Sequence, residues 1–329
     1  VSNNKIRKIK SDLIPKNITT INLSNNMIDD IPSGTFLNKK QIRKIFLAGN
    51  MIKKLQITSL IVSKFDILRE PPEIYLAGNP LHCDCHMEWL RNINELSEQR
   101  RQLPKLVDMN KIKCTMEHNH EQKTHDDVSI KAFNELNSND FLCKYENHCH
   151  TLCQCCQNDE EEDDDDDDGE VVECKCKMTC PDQCSCYHDN TWNKNIVDCG
   201  NANLQSFPNR IPIDVTTLYL DGNNLTHLSH HQFVGKNRLE VLYLNDSNIH
   251  TIANGTFDEL RNLRILHLNR NQIKRLHGNE FKELSMLNEL HLDHNRLTHI
   301  GDGAFNHMKF LRIIDLSDNR LVDFSPIQQ

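Results

Sequence analysis

The sequence predicts a protein of the α/β class, built from two solenoids of short repeats joined by disulfide-rich cap domains. Two observations predict it. A motif of the form L-x-x-L-x-L-x-x-N-x-L recurs at a period of 24 residues, clearly in the second half of the chain and more roughly in the first. Eleven of the 14 cysteines lie between residues 143 and 199, where one array ends and the other begins.

The second array, at residues 211–329, carries the clearest leucine-rich repeats. Its conserved-type bend position is occupied in register by Asn223, Ser247, Asn271, Asn295 and Asn319, and a second marker by Phe233, Phe257, Phe281 and Phe305. The L-x-L portion predicts a short strand with its leucines in the core. An asparagine at the bend can bond backbone groups that the turn leaves unpaired. Each repeat buries its apolar face only against its neighbours, so we expect Ser247 to weaken one rung without breaking the stack.

The first array, at residues 1–82, follows the same pattern less regularly. Residues 4–6 resemble the tail of a repeat, and good repeats follow at 18–28 and 42–52. Residues 53–72 fit the pattern poorly, and 74–81 is expected to close the array.

Residues 83–148 have the form of a C-terminal repeat cap, which would cover the apolar end of the first array. Trp89 and Leu90 are expected on a short helix. For a cap of this form we expect first-to-third and second-to-fourth pairing, Cys83–Cys114 and Cys85–Cys143. A zinc site made from two of these cysteines and a histidine is the alternative, with His82, His86 or His118 as the third ligand.

Residues 180–210 have the form of an N-terminal repeat cap for the second array. Alternate pairing is again expected, Cys180–Cys186 and Cys184–Cys199. The linker at 149–179 holds the remaining cysteines: Cys149, Cys153, Cys155, Cys156, Cys174 and Cys176. Six cysteines allow fifteen pairings and the sequence does not choose among them. A metal site using His148 and His150 stays open as the alternative there.

The acidic character of the chain comes from one run. Asp159 to Asp168 contributes ten of the negative charges to a formal net charge of −9, so the rest of the chain is close to neutral. We interpret the run as a solvated, disordered insert. A weak calcium site is the alternative, but the run lacks the spaced ligands and glycine of a calcium loop. The chain has no basic stripe, so no nucleic-acid partner is expected.

The cysteine pattern is typical of an oxidising compartment. Five N-x-S/T sequons fit an exported chain: Asn17, Asn22, Asn224, Asn245 and Asn254. No apolar run approaches the ~18–20 residues that span a bilayer, and the N-terminus lacks a signal-peptide core. We therefore expect an internal piece of a longer secreted or membrane-anchored protein.

Four stretches resemble the ectodomains of the Toll receptors of arthropods, most of all the long Tolls of the eighteen-wheeler and Tollo type. They are NPLHCDCHMEWL, YENHCHTLCQCC, CPDQCSCYHDNTWNKNIVDC and IPIDVTTLYLDGNNLT. The resemblance implies a single-pass receptor on the extracellular side of the cell membrane, with a cytoplasmic TIR domain and the membrane span outside this chain. It implies Spätzle-like cytokines or cell-surface proteins as ligands, and receptor dimerisation. The acidic run and residues 53–72 depart from the family pattern.

The expected protein-binding surface is the concave strand face of the second array, where the residue between the two leucines points outward. Those residues are Tyr219, Tyr243, His267, His291 and Asp315. A merely solvated strand face is the alternative for the surface. For the function, the alternative is a non-signalling adhesion or matrix protein. No nucleophile motif, phosphate loop or metal-spaced triad is present, so we expect no enzyme activity, no catalytic, cofactor-binding or metal site, and no cofactor.

Overall fold

The computed structural model describes residues 1–66, 68–116, 129–149 and 177–322. The chain divides into two compact units, residues 1–143 and 144–329. The predictions for the acidic run, for the pairing of the six linker cysteines, and for His118 and His150 lie outside the described residues and remain predictions.

The first unit contains seven short strands, part of an eighth, one α-helix and six 3-10 helices among its described residues. The strands are β1 (Thr20–Asn22), β2 (Lys44–Phe46), β3 (Glu73–Tyr75), β4 (Leu81–His82), β5 (Lys105–Leu106), β6 (Lys113–Met116), β7 (Ser129–Ala132) and the beginning of β8 (Cys143–Tyr145). The helix is α1 (Ile93–Arg100). The 3-10 helices are Ser11–Leu13, Ile57–Leu60, Cys85–Asn92, Met109–Lys111, Phe133–Glu135 and Ser138–Asp140.

Strands β1, β2 and β3 pair in parallel in the first array, each with its middle residue buried. The step from Ile21 to Ile45 is 24 residues, but the paired step from Ile45 to Ile74 is 29. Residues 53–72 are therefore one longer repeat. Its extra length is taken up by the 3-10 helix Ile57–Leu60, and Leu60, Val62 and Phe65 keep its apolar face buried.

A fourth strand extends this sheet beyond the repeat at 74–81. Strand β5, from the region assigned to the cap, pairs in parallel with β3. Asp108 then takes the place of the bend asparagine, because its carboxylate accepts bonds from Leu76 N at 3.0 Å and Ala77 N at 2.9 Å. The sequence motif does not reveal this strand, since the bend residue is aspartate and the spacing is irregular.

The first cap is tied by the disulfides Cys83–Cys114 and Cys85–Cys143, the pairs expected for a cap of this form. The sulfur atoms of these four cysteines are thus bonded to each other, which leaves no thiolate for the zinc alternative. Leu90 is fully buried on the 3-10 helix Cys85–Asn92, and Trp89 packs against the same core. Asp84 caps this helix by accepting a bond from His86 N at 3.0 Å.

The second unit contains the rest of β8 and thirteen further strands among its described residues. They are β9 (Asn147–Cys149), β10 (Lys177–Thr179), β11 (Ser185–His188), β12 (Asn195–Asp198), β13 (Thr217–Tyr219), β14 (His227–Leu228), β15 (Val241–Tyr243), β16 (Thr251–Ile252), β17 (Ile265–His267), β18 (Arg275–Leu276), β19 (Glu289–His291), β20 (His299–Ile300) and β21 (Ile313–Asp315). Strands β12, β13, β15, β17, β19 and β21 form one continuous parallel sheet.

The polar bend residues form a buried ladder beside this sheet. The side-chain nitrogen of Asn271 donates to Leu244 O at 2.8 Å and Leu268 O at 3.0 Å, while its oxygen accepts from Ile249 N at 2.9 Å. Asn295 repeats this pattern one rung later. One side chain therefore satisfies several backbone groups that the solenoid bend would leave unpaired.

Ser247 makes a weaker rung of the same ladder. Its hydroxyl donates to Leu220 O at 2.8 Å, but the shorter side chain does not accept from Leu225 N. That amide bonds Ser247 O instead, at 3.0 Å. The backbone substitutes for the missing amide oxygen, so the stack continues through this rung.

The phenylalanine spine packs behind the sheet. Phe233, Phe257 and Phe281 are buried, and successive rings lie 5.8 and 5.9 Å apart between centroids. Phe305 is partly buried against the same core. The returning segments are turns, since a repeat of 24 residues leaves too little chain for a helix after strand, bend and spine. The α part of the predicted α/β class is accordingly small: α1 is the one α-helix in the part of the chain that the structure describes.

The second cap contains the disulfides Cys180–Cys186 and Cys184–Cys199, again the expected pairs. Strand β11 pairs antiparallel with β12, and β12 continues the parallel sheet, so the cap covers the first edge of the array. No helix among the described residues is long and apolar enough to cross a bilayer.

Tyr145 and His148 pack in the second unit, although the predicted boundary of the first cap runs to residue 148. The Tyr145 hydroxyl donates to the side-chain oxygen of Asn195 at 2.5 Å. His148 Nε2 lies 3.0 Å from Asp214 Oδ2, with both side chains almost fully buried. The ring of Trp192 stacks on His148 at 4.4 Å. Residues after Cys143 thus contribute to the N-terminal end of the second array.

Candidate functional site

The concave face of the second array carries a column of stacked rings, which we call the ring ladder: Tyr219, Tyr243, His267 and His291. Each is the last residue of its strand, and each follows a fully buried leucine. Because strand side chains alternate between the two faces, burial of the leucine turns the following residue outward. The ladder thus uses four of the five positions that the sequence predicts.

The rings stack because their strands pair in exact register. Tyr219, Tyr243, His267, His291 and Asp315 are successive Cα partners across the sheet. Neighbouring strands lie about 4.7–4.9 Å apart. The ring centroids are 4.4, 4.5 and 4.4 Å apart with interplanar angles of 11°, 5° and 8°. The strand spacing therefore presents the rings as one half-buried, ordered column.

Burial keeps the ladder uncharged near neutral pH. Burial, aided by the adjacent charge of His291, lowers the pKa of His267 to about 4. Burial also raises the pKa values of Tyr219 and Tyr243 above that of a free tyrosine. The ladder is consequently an amphipathic surface of neutral rings, a composition that suits protein contact.

Carboxylates surround this ladder, whereas cationic side chains are missing from its strands. None of the residues in β13, β15, β17, β19 and β21 is lysine or arginine. Glu289 and Asp315 lie on these strands, and Asp221 and Asp293 follow two of them at the next outward position. Hydrogen bonds from the hydroxyl and amide of Ser317 lower the pKa of Asp315 and so favour its charged form. The face is therefore acidic at neutral pH.

The last rungs bring together a histidine and several carboxylates. His291 Nε2 lies 3.5 Å from Glu289 Oε2. One ligand-type atom from each of His291, Asp293 and Asp315 lies within 4.8 Å of the others. His294 bridges two carboxylates, with Nδ1 2.9 Å from Asp293 Oδ2 and Nε2 3.2 Å from Asp318 Oδ2. This end of the face is its most polar part.

A smaller ring pair lies on the concave face of the first unit. Phe46 and Tyr75 stack at 4.5 Å and 14° on β2 and β3. Beside them Lys44 Nζ lies 3.0 Å from Glu73 Oε2, which also accepts from the Tyr75 hydroxyl at 2.8 Å. These bonds lower the pKa of Glu73 and raise that of Lys44. The charge of this patch is balanced within itself, unlike that of the ring ladder.

The five sequon asparagines differ in exposure. Asn17, Asn22 and Asn254 are exposed, whereas Asn224 and Asn245 are half-buried. Asn22 lies on the outward face of β1, between buried Ile21 and Leu23. Asn224 donates from its side-chain nitrogen to Gln205 Oε1 at 2.7 Å. That nitrogen is the atom to which a glycan would be attached. Glycosylation at these five positions remains a prediction.

The sequence analysis did not single out Phe46, Tyr75, Glu289 or Asp293. Repeat register could have identified the last two, because they lie two residues before and after His291 and so share its face. It could not have identified the Phe46–Tyr75 pair, since the 29-residue step between them departs from the repeat period.

Comparison with known proteins places these features in a family context. The family model described as Leucine rich repeat matches residues 213–273, 237–297 and 285–328. Toll-like receptor 7 of Drosophila melanogaster is 39% identical over 240 residues, which is 73% of this chain and 15% of the receptor. The human Leucine-rich repeat and fibronectin type III domain-containing protein 1 is 32% identical over 80 residues, 23% of this chain and 10% of its own length. The chain therefore spans only a small part of either relative.

Among solved structures, the Toll–Spatzle complex of Drosophila in its glycosylated form matches with a TM-score of 0.51. The identity is 18%, and the match covers 85% of this chain and 35% of that chain. At this identity the likeness concerns the fold, a solenoid of leucine-rich repeats with disulfide-rich regions.

Proposed function

The chain is a leucine-rich repeat segment homologous to part of a Drosophila Toll-like receptor, and from this premise we propose that it is an extracellular, protein-binding segment of a Toll-like receptor. The rest of such a receptor would supply a single membrane span and a cytoplasmic signalling domain of the TIR type. The four disulfides support a location on the extracellular side of the cell membrane, since such bonds persist in oxidising compartments.

The ring ladder carries this proposal. Four parallel, half-buried rings on adjacent strands form a rigid apolar surface at little entropic cost, because their neighbours already hold them. Aromatic residues are enriched among the residues that dominate protein interfaces. A merely solvated strand face has no need of an unbroken ring column.

The charges of the same face suggest the chemistry of the partner. Neutral rings beside several carboxylates favour a protein that presents lysine or arginine side chains, which can contact ring faces and carboxylates together. A Spätzle-like cytokine is the partner that we propose, because the structurally similar Toll of Drosophila was solved in complex with Spatzle. Receptor dimerisation around such a ligand is part of the proposal.

Binding of a panel of Spätzle-like cytokines to the full receptor ectodomain tests the proposal. We expect His291→Ala and Tyr243→Ala to weaken binding by about tenfold or more, as for central interface residues. His299→Ala is the matched control, because His299 is exposed on β20, outside the concave sheet. Loss of binding with His299→Ala but not with the ladder variants would place the contact elsewhere.

The alternative, a non-signalling adhesion or matrix protein, receives less support. The similarity to the human fibronectin type III domain-containing relative is confined to 80 residues. A chimera that joins the ectodomain to the membrane span and TIR domain of a known Toll receptor separates the two functions. Ligand-dependent reporter activation is expected for a receptor, whereas cell aggregation without activation would favour adhesion.

A further inference from the structure

The acidic end of the concave face places donors of two kinds around one point. His291 supplies an imidazole nitrogen, and Asp293 and Asp315 each supply a carboxylate oxygen, with these three atoms within 4.8 Å of one another. A single ion about 2.0–2.2 Å from each atom requires separations of this order or slightly less. Small rotamer adjustments would therefore suffice to bring the three donors onto one ion.

The scaffold restricts the movement of these donors. His291 and Asp315 are Cα partners on the neighbouring parallel strands β19 and β21. The His291 ring is stacked on His267 at 4.4 Å and 8°, which restricts its rotation. A metal site built on paired strands is more precisely positioned than one built on loops.

Groups outside the donor set hold each carboxylate. His294 Nδ1 contacts Asp293 Oδ2 at 2.9 Å, and the Ser317 hydroxyl donates to Asp315 Oδ1 at 2.7 Å. The second oxygen of each carboxylate has no partner of this kind and can turn toward His291. Supporting bonds of this sort orient ligands in known metal sites.

We propose that His291, Asp293 and Asp315 form a site for a divalent transition metal of the zinc class. The mixed donor set decides the class, since imidazole suits zinc, copper, nickel and iron, whereas calcium and magnesium are held by oxygen ligands. Three protein ligands leave room for water in the remaining position, as in zinc sites with an open position. The site is independent of the proposed partner binding, because it involves the chain alone.

The test uses the full chain, stripped of metal with a chelator and titrated with Zn²⁺ by calorimetry. We expect one equivalent to bind, and Co²⁺ to give visible d–d absorption when it replaces zinc. His291→Gln and Asp315→Asn should each weaken Zn²⁺ binding by more than about tenfold. Circular dichroism melting of each variant verifies that it is folded.

Matched controls separate a built site from general binding by a chain with 18 histidines. His299→Gln and Asp302→Asn alter an exposed histidine and an exposed aspartate outside the donor set, and should leave Zn²⁺ affinity unchanged. Equal affinity of wild type and His291→Gln would overturn the proposal. So would an equal loss with the controls, or Ca²⁺ binding at the same residues with higher affinity than Zn²⁺.

Discussion

Ser247 has two roles that oppose one another. As the serine of the polar ladder it bonds fewer backbone groups than the asparagines around it. It is also the hydroxyl residue of the sequon at Asn245, which an asparagine at position 247 would abolish. Asn245 follows β15 on the concave side, so a glycan there would project toward the ring ladder. A weaker rung therefore accompanies a potential control of access to the face.

We predict that Ser247→Asn raises the free energy of unfolding of the second unit by about 1 kcal/mol, because an amide supplies one further hydrogen bond. It should also remove any glycan from Asn245. Denaturant unfolding and glycopeptide mapping measure the two effects. Asn245→Gln is the control, since it removes the sequon and leaves the ladder intact. Equal stability changes in the two variants would contradict the prediction.

A related prediction at the residue scale concerns the partner. If Asn22 and Asn245 carry glycans, a partner of the second array should contact His267, His291 or Asp315 more than the rung of Asn245. Glycopeptide mapping followed by binding to His291→Ala and Asn245→Gln tests this. Unchanged binding with His291→Ala, together with loss for Asn245→Gln at an unglycosylated site, would show that the contact lies on the wrong rung.

At the scale of elements, the segment around β9 is joined to the second array by a buried polar network. His148 on β9 contacts Asp214 at 3.0 Å, and Asn195 on β12 donates to the other oxygen of Asp214 at 2.9 Å. Three segments distant in sequence thus converge on one carboxylate. Removal of one partner would leave the others buried and without that bond.

We predict that His148→Ala lowers the free energy of unfolding of the second unit by about 3–5 kcal/mol, as for other broken buried pairs. A double-mutant cycle with Asp214→Asn isolates the coupling. The control is Glu283→Ala, which breaks the more exposed Arg261–Glu283 pair and should cost about 1 kcal/mol or less. Comparable losses at the two pairs would contradict the structural account.

The same network has a pH dependence of defined sign. Burial opposes ionisation of Asp214, but the hydrogen bond and charge of His148 outweigh it and lower the Asp214 pKa below 3.8. A depressed carboxyl pKa stabilises the folded state above the unfolded value, and this contribution is lost as pH falls through the folded pKa. Urea unfolding at several pH values should therefore show that the deficit of Asp214→Asn persists at pH 5 and shrinks below about pH 3.8. A deficit independent of pH down to 2 would contradict this.

At the scale of the whole molecule, two separate cores support two units. The buried hydrophobic residues of one core run from Ile9 to Phe141, and those of the other from Tyr145 to Met308. The four described disulfides each close within one unit. We therefore predict two calorimetric unfolding transitions, of which His148→Ala lowers only one. A single transition that shifts as a whole would show that the units unfold together.

The sequence by itself determined the repeat architecture, because burial of a leucine face imposes a period that can be read directly. The bend positions, the phenylalanine spine, the outward residues of the second array and the spacing of the cap cysteines all follow from it. Tertiary structure alone decided where the pattern is irregular or where distant residues meet. Strand β5 with Asp108, the 29-residue repeat, and the joining of His148 to Asp214 depend on packing that no local period encodes. The stacking of the rings and the meeting of His291 with Asp315 arise because a step of 24 residues along the chain is one strand spacing, about 4.8 Å, across the sheet.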